Sequence, residues 1–85
     1  MFHVTIKPAA EKQMDRLPAQ IRQRVTKALD ALSENPRPPG CLKLKGEDDL
    51  WRIRVGDYRI VYAIEDAELI VLVVRVAHRK DVYQE

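Results

Sequence analysis

Arg52, Arg54 and Arg59 are the residues of this 85-residue chain whose types and spacing most directly suggest chemistry. They sit in LWRIRVGDYRIVY, residues 50–62, where apolar and basic side chains alternate. A period of two puts alternate residues on opposite faces of a strand. Trp51, Ile53, Val55, Tyr58, Ile60 and Tyr62 therefore share one face, and the three arginines share the other. Arginine keeps its charge in proteins and donates in a fork that matches phosphate oxygens. Several guanidinium groups on one side of a sheet repel one another. That cost points to an anionic partner, most simply the phosphate backbone of a nucleic acid.

The turn between the two runs is Gly56-Asp57. Glycine first suits a two-residue type II′ hairpin loop. That register opposes Val55 to Tyr58, Arg54 to Arg59 and Ile53 to Ile60, and directly opposed residues share a face. Like charges so placed are destabilising. The next turn allows two readings. A two-residue loop, Asp66-Ala67, would put Arg75 on the apolar face beside Tyr58, an unpaired buried charge. A three-residue loop, Asp66-Ala67-Glu68, pairs Arg59 with Arg75 and sends Ile70, Leu72, Val74 and Val76 to the core, and is preferred for that reason. Arg79 projects on the Arg75 side if the strand continues. Lys43 and Lys45 alternate with Leu42 and Leu44 in a short strand that would extend the basic patch.

The rest of the chain must position this face. Phe2, Val4 and Ile6 alternate with His3 and Thr5 as a first strand. Pro8 suits the first turn of a helix, and Ala10, Met14 and Leu17 recur at helical spacing. Pro18 ends that helix and starts another, whose stripe is Ile21, Val25, Ala28, Leu29 and Leu32. Arg22, Arg24 and Lys27 lie mainly outside the stripe, on a solvated face. Asn35-Pro36 stops the second helix, and residues 35–40 hold too many prolines for regular structure. Residues 46–49 read as a turn, and residues 79–85 as a last helical turn. The expected fold is α+β: an N-terminal two-helix hairpin packed on a small antiparallel-rich sheet, in one domain covering residues 1–85.

Composition narrows the classes. A chain of this length has a thin core and no room for a large cofactor pocket. No apolar run approaches the roughly 20 residues that span a bilayer, and no secretory signal is visible, so a cytoplasmic protein without membrane contact is expected. The single cysteine, Cys41, excludes an internal disulfide, and with two distant histidines, His3 and His78, no metal site or cofactor is expected. The net charge is only +2, and residues 41–85 hold about as many acids as bases. A nucleic-acid reading therefore depends on where charges point.

WRIRVGDYRIVYAI followed by VVRVAHRKDVY resembles the RelE branch of the RelE/ParE toxin superfamily. The resemblance covers nearly the whole chain, including Leu44-Lys45-Gly46, GDYRIVY at 56–62 and the closing RKDVY. It implies a microbial ribonuclease-like fold and a type II toxin that cleaves translated mRNA in the ribosomal A site. It also implies a RelB-like antitoxin that neutralises the toxin, with operator DNA bound through that antitoxin. By the same resemblance Arg52, Arg54, Arg59, Arg79 and Tyr83 are the catalytic residues. Lys43, Lys45, Arg75 and His78 are expected to contact RNA. Well-known relatives carry lysine where Arg52 and Arg54 stand, and lysine can shuttle a proton where arginine cannot.

Metal-free cleavage would use the ribose 2′-OH as nucleophile on the adjacent phosphate. Arg59 and Arg79 suit stabilisation of the charge that builds on the phosphoryl oxygens. The base is open between Tyr83, whose ordinary pKa of about 10 an arginine cluster would lower, and His78, which alternation sets opposite Arg79. Trp51, Tyr58 and Tyr62 fall on the apolar face and read as core. The alternatives on this scaffold are a ParE-like inhibitor of DNA gyrase acting by binding, or an inactive partner of the antitoxin.

Overall fold

The alternating and helical stretches form the elements that their periods predict. The structure, a computed structural model, describes residues 1–46 and 49–82. In chain order it contains β1 (His3–Ile6), α1 (Pro8–Asp15), α2 (Ala19–Glu34), β2 (Leu42–Lys43), β3 (Leu50–Val55), β4 (Tyr58–Glu65), β5 (Ile70–His78) and α3 (Arg79–Val82). Pro8 opens α1, where its missing N–H is harmless. Pro18 immediately precedes α2. That helix ends at Asn35, which turns extended because a residue before proline avoids the helical region.

The strands make one five-stranded sheet in the order β1-β5-β4-β3-β2. β1 runs parallel to β5 and the other pairs are antiparallel. Both long helices cover one face. Ala10, Leu17, Val25, Leu29 and Leu32 pack there with Ile53, Val55, Ile60, Tyr62, Ile64, Val71, Val73 and Val76. Burying one Val, Leu or Ile fully contributes roughly 1.5–3 kcal/mol, so this single layer carries most of the fold's apolar stabilisation.

The β3–β4 hairpin has the expected register, Val55 opposite Tyr58 and Arg54 opposite Arg59. Gly56 has φ +60° and Asp57 is not among the positive-φ residues, the combination of a type II′ turn. The β4–β5 connection differs from both sequence readings. Asp66–Glu68 forms a 3-10 turn, Leu69 follows in the left-handed region at φ 55°, and Glu65 pairs with Ile70. The register then shifts between Val61 and Tyr62: Tyr62 opposes Val73, whereas Val61 opposes Arg75. Val74 is the extra residue of a β-bulge. Arg59 consequently faces Ala77 rather than Arg75, and the core receives Val71 and Val73 in place of Ile70, Leu72 and Val74, together with Val76 as expected. Without the bulge, Arg75 would oppose Ile60 beneath the helices. The extra residue returns Arg75 to the arginine side and Val76 to the core, avoiding a buried charge by a route that loop length alone does not reveal.

Two further expectations are corrected. Lys43 opposes Trp51, so it stands on the helix side of the sheet, and exposed Lys45 lies in the turn beyond β2. Neither extends the basic patch, because Leu42, not Lys43, is the residue opposite Arg52. His78 opposes Tyr58 and shares the helix side with it and Val76, the side opposite Arg79 on which alternation had set it.

Candidate nucleic-acid interface

The face away from the helices is built in rows across the strands. Arg54, Arg59 and Ala77 form one row, and Arg52, Val61 and Arg75 the next. Leu50, Ala63, Leu72 and Thr5 form a third, uncharged row. The arginines thus occupy the end of the face nearest the Gly56-Asp57 turn. Strands are about 4.8 Å apart, so Arg52 and Arg75, with Val61 between them, start about 10 Å from each other. Among the described strand residues, the acid on this face is exposed Glu65, six residues along β4 from Arg59, roughly 20 Å away.

Burial grades the four guanidinium groups. Arg59, on the central strand, is only 1% exposed, Arg52 and Arg75 are half-buried and Arg54 is exposed. Nη1 of Arg52 is buried with no hydrogen-bond partner among the described residues. Leaving such a donor unmatched costs about 1–3 kcal/mol or more, a cost that a bound anion would remove. Among the described side chains, the ion pair is Arg37 with Asp66, 2.9 Å apart, and it lies off this face. Arg37 also stands over the Trp51 ring at 5.2 Å. This clamp ties the proline-rich loop to β3 and to the β4–β5 turn. Asp66, held by the Arg37 hydrogen bond, ionises below the usual carboxylate range.

The structure therefore brings together Arg52, Arg54, Arg59 and Arg75 on one face, sets Lys43 and Lys45 apart from them, and puts His78 on the helix side. Arg79 ends β5 and opens α3. Its backbone N–H donates to Asp57 O at 2.7 Å, which fixes it beside the hairpin turn. Its side chain is exposed. Tyr83 lies outside the described residues. Trp51 and Tyr58 are half-buried against the core, and Tyr62 is fully buried, donating to Pro36 O at 2.7 Å. Burial, with Cys41 close by, pushes the Tyr62 hydroxyl far above the ordinary phenol range, so it is no proton acceptor. Among the described residues no three His, Cys, Asp or Glu side chains come together as metal ligands. Sequence reading missed Arg24, which leaves the α2 surface to lie against Gly56, its Nη1 3.3 Å from where a side chain there would begin. Helix periodicity places Arg24 in solvent and carries no signal for that contact.

Comparison with known proteins adds the following. The family described as ParE toxin of type II toxin-antitoxin system, parDE, matches residues 4–83. Toxin RelE of Mycobacterium tuberculosis is 32% identical over 84 residues, spanning 98% of this chain and 87% of the relative. The mRNA interferase toxin RelE of Escherichia coli K12 is 32% identical over 80 residues, spanning 89% and 83%. The RelE chain in the crystal structure of the archaeal RelE-RelB complex from Pyrococcus horikoshii superimposes with a TM-score of 0.82 at 28% identity, covering 92% of this chain and 94% of that one.

Proposed function

Because this chain belongs to the RelE/ParE family of type II toxin–antitoxin toxins, we propose that it is a ribosome-dependent endoribonuclease that cuts mRNA in the A site. The observation that carries this reading is the convergence of Arg52, Arg54, Arg59 and Arg75 on one sheet face, with an Arg52 donor buried and unmatched among the described residues. The name mRNA interferase, borne by the Escherichia coli relative, supports it.

In the proposed reaction the ribose 2′-oxygen attacks the adjacent phosphorus. The bond from phosphorus to the 5′-oxygen of the next nucleotide breaks. The 2′-OH proton passes to a base, and the 5′-oxygen takes up a proton. The products are a 2′,3′-cyclic phosphate and a 5′-OH, and no metal takes part. In this reading Arg59, buried on the central strand, donates to the phosphoryl oxygens as their charge grows. Arg52 and Arg54 hold flanking phosphates, and Arg79 closes the site from the hairpin end. Tyr83 is assigned the base. Because guanidinium groups do not shuttle protons at neutral pH, orientation of the RNA by the ribosome supplies much of the acceleration. A RelB-like antitoxin is the proposed protein partner, as in the related complexes, and the cytoplasm, where the ribosome is, the proposed location.

The ParE description of the matching family favours a second reading, gyrase inhibition by binding. Primer extension in a reconstituted translation system separates the two. A-site cuts that disappear in Arg59→Ala and Arg52→Ala support the nuclease. Intact mRNA together with blocked gyrase supercoiling refutes it.

A further inference from the structure

We infer that the cleft at the free edge of β5 is a second RNA subsite, holding one nucleotide beside those on the arginine face; the inference rests on the RNA-cutting reading above. β1 pairs with β5 only as far as Ile6 opposite Val73. Beyond that point β5 has no strand neighbour on this side among the described residues, and the end of α1 stands there instead. The intervening cleft measures about 380 Å³. Ligand pockets begin near 300 Å³, so the space suits one nucleotide.

The walls supply donors and rings, and among the described residues no carboxylate lines them. Gln13 Oε1 accepts the Val76 N–H at 2.7 Å, which leaves its amide nitrogen to donate. Arg16 is exposed and makes no ion pair among the described residues. The Nδ1 of His78 accepts the Lys80 N–H at 3.3 Å, which leaves Nε2–H as the donor of the neutral ring. Tyr58 and His78 meet edge to face, 5.3 Å apart at 82°, so the cleft has ring surfaces on which a base can lie. Arg75 lines this cleft and also belongs to the arginine face, so a strand of RNA crossing that face meets the cleft without a break in positive charge. A peptide strand is disfavoured as occupant. The Val76 N–H that it would pair with is already held by Gln13.

The test uses the full-length toxin and a fluorescent 2′-O-methyl hexanucleotide, which binds but cannot be cut, titrated by anisotropy over a range of salt. Arg16→Gln and His78→Asn are each expected to weaken binding about 5- to 20-fold, the lower part of the range for one stacked or phosphate-held nucleotide. Arg16→Gln should also lower the slope of log affinity on log salt by about 0.7, one phosphate contact on a single strand. Lys27→Gln on α2 removes the same charge elsewhere and should do neither. Arg16→Gln and His78→Asn binding like Lys27→Gln would overturn the subsite while leaving the arginine-face reading standing, provided Arg52→Gln weakens binding. If Arg52→Gln is also silent, both readings fail. Inorganic phosphate is the second probe. Movement of the Gln13 side-chain amide resonances by phosphate but not by the hexanucleotide would mark a free-anion site and overturn the RNA assignment.

Discussion

Replacing Arg54 with threonine should stabilise the fold while impairing the mRNA cleavage proposed above. Arg54 opposes Arg59 one step from the hairpin turn, a non-hydrogen-bonded position where α-carbons approach to about 4.5 Å. Two unit charges about 7 Å apart repel by about 0.6 kcal/mol in water and about 2.4 kcal/mol at an effective dielectric of 20. Arg59 is buried, but Arg54 is exposed, so solvent screens the pair and the lower figure is the better guide. A gain of about 0.5 kcal/mol raises the melting temperature of a domain this size by roughly 2–4 °C. Circular dichroism melts at low salt and at 1 M salt isolate the electrostatic part, because the screening length falls to about 3 Å at 1 M. The gain should appear at low salt and largely vanish at high salt, while A-site cleavage by the same variant drops at least about tenfold through loss of one phosphate contact. A variant no more stable than wild type at low salt, or a gain that survives 1 M salt unchanged, would refute the claim that these guanidinium groups strain one another.

Three other outcomes follow from the packing. Tyr62→Phe removes the buried hydroxyl that Pro36 O accepts and should cost about 1–3 kcal/mol, seen as a lower urea midpoint at unchanged slope. Gly56→Ala forces a side chain onto a φ of +60° and against Arg24, so a loss of at least about 1–2 kcal/mol is expected in the same denaturation assay. Asp66 ionises more readily in the folded chain than in the unfolded one because of Arg37. Its contribution to stability is thus present above the unfolded pKa of about 3.9 and is lost as pH falls through the lower folded value. Urea midpoints measured from pH 6 down to pH 2 should fall less steeply for Asp66→Asn than for wild type.

Residues 50–62 carry their own geometry in the sequence. Strict alternation assigns each side chain a face, and a Gly-Asp turn sets the register, so the placement of Arg52, Arg54 and Arg59 is legible without coordinates. The helices are legible for the same reason, since Ala10, Val25, Leu29 and Leu32 recur at the spacing of one face. β5 is different. From Ile70 to Val74 every residue is apolar, so the run has no preferred face, and hydrophobicity cannot say which of two alternations meets the helices. The choice is made where β5 pairs with β4 and β1, and a bulge at Val74 reconciles an apolar core with Arg75 and places His78 in a cleft. The same holds for Lys43, whose face depends on which β3 residue it meets, and for Arg59, whose burial comes from a central position in the sheet rather than from its neighbours in sequence. Local periodicity is written within a few consecutive residues. Strand pairing across long loops and the depth of a side chain are settled only when distant segments compete for the same core.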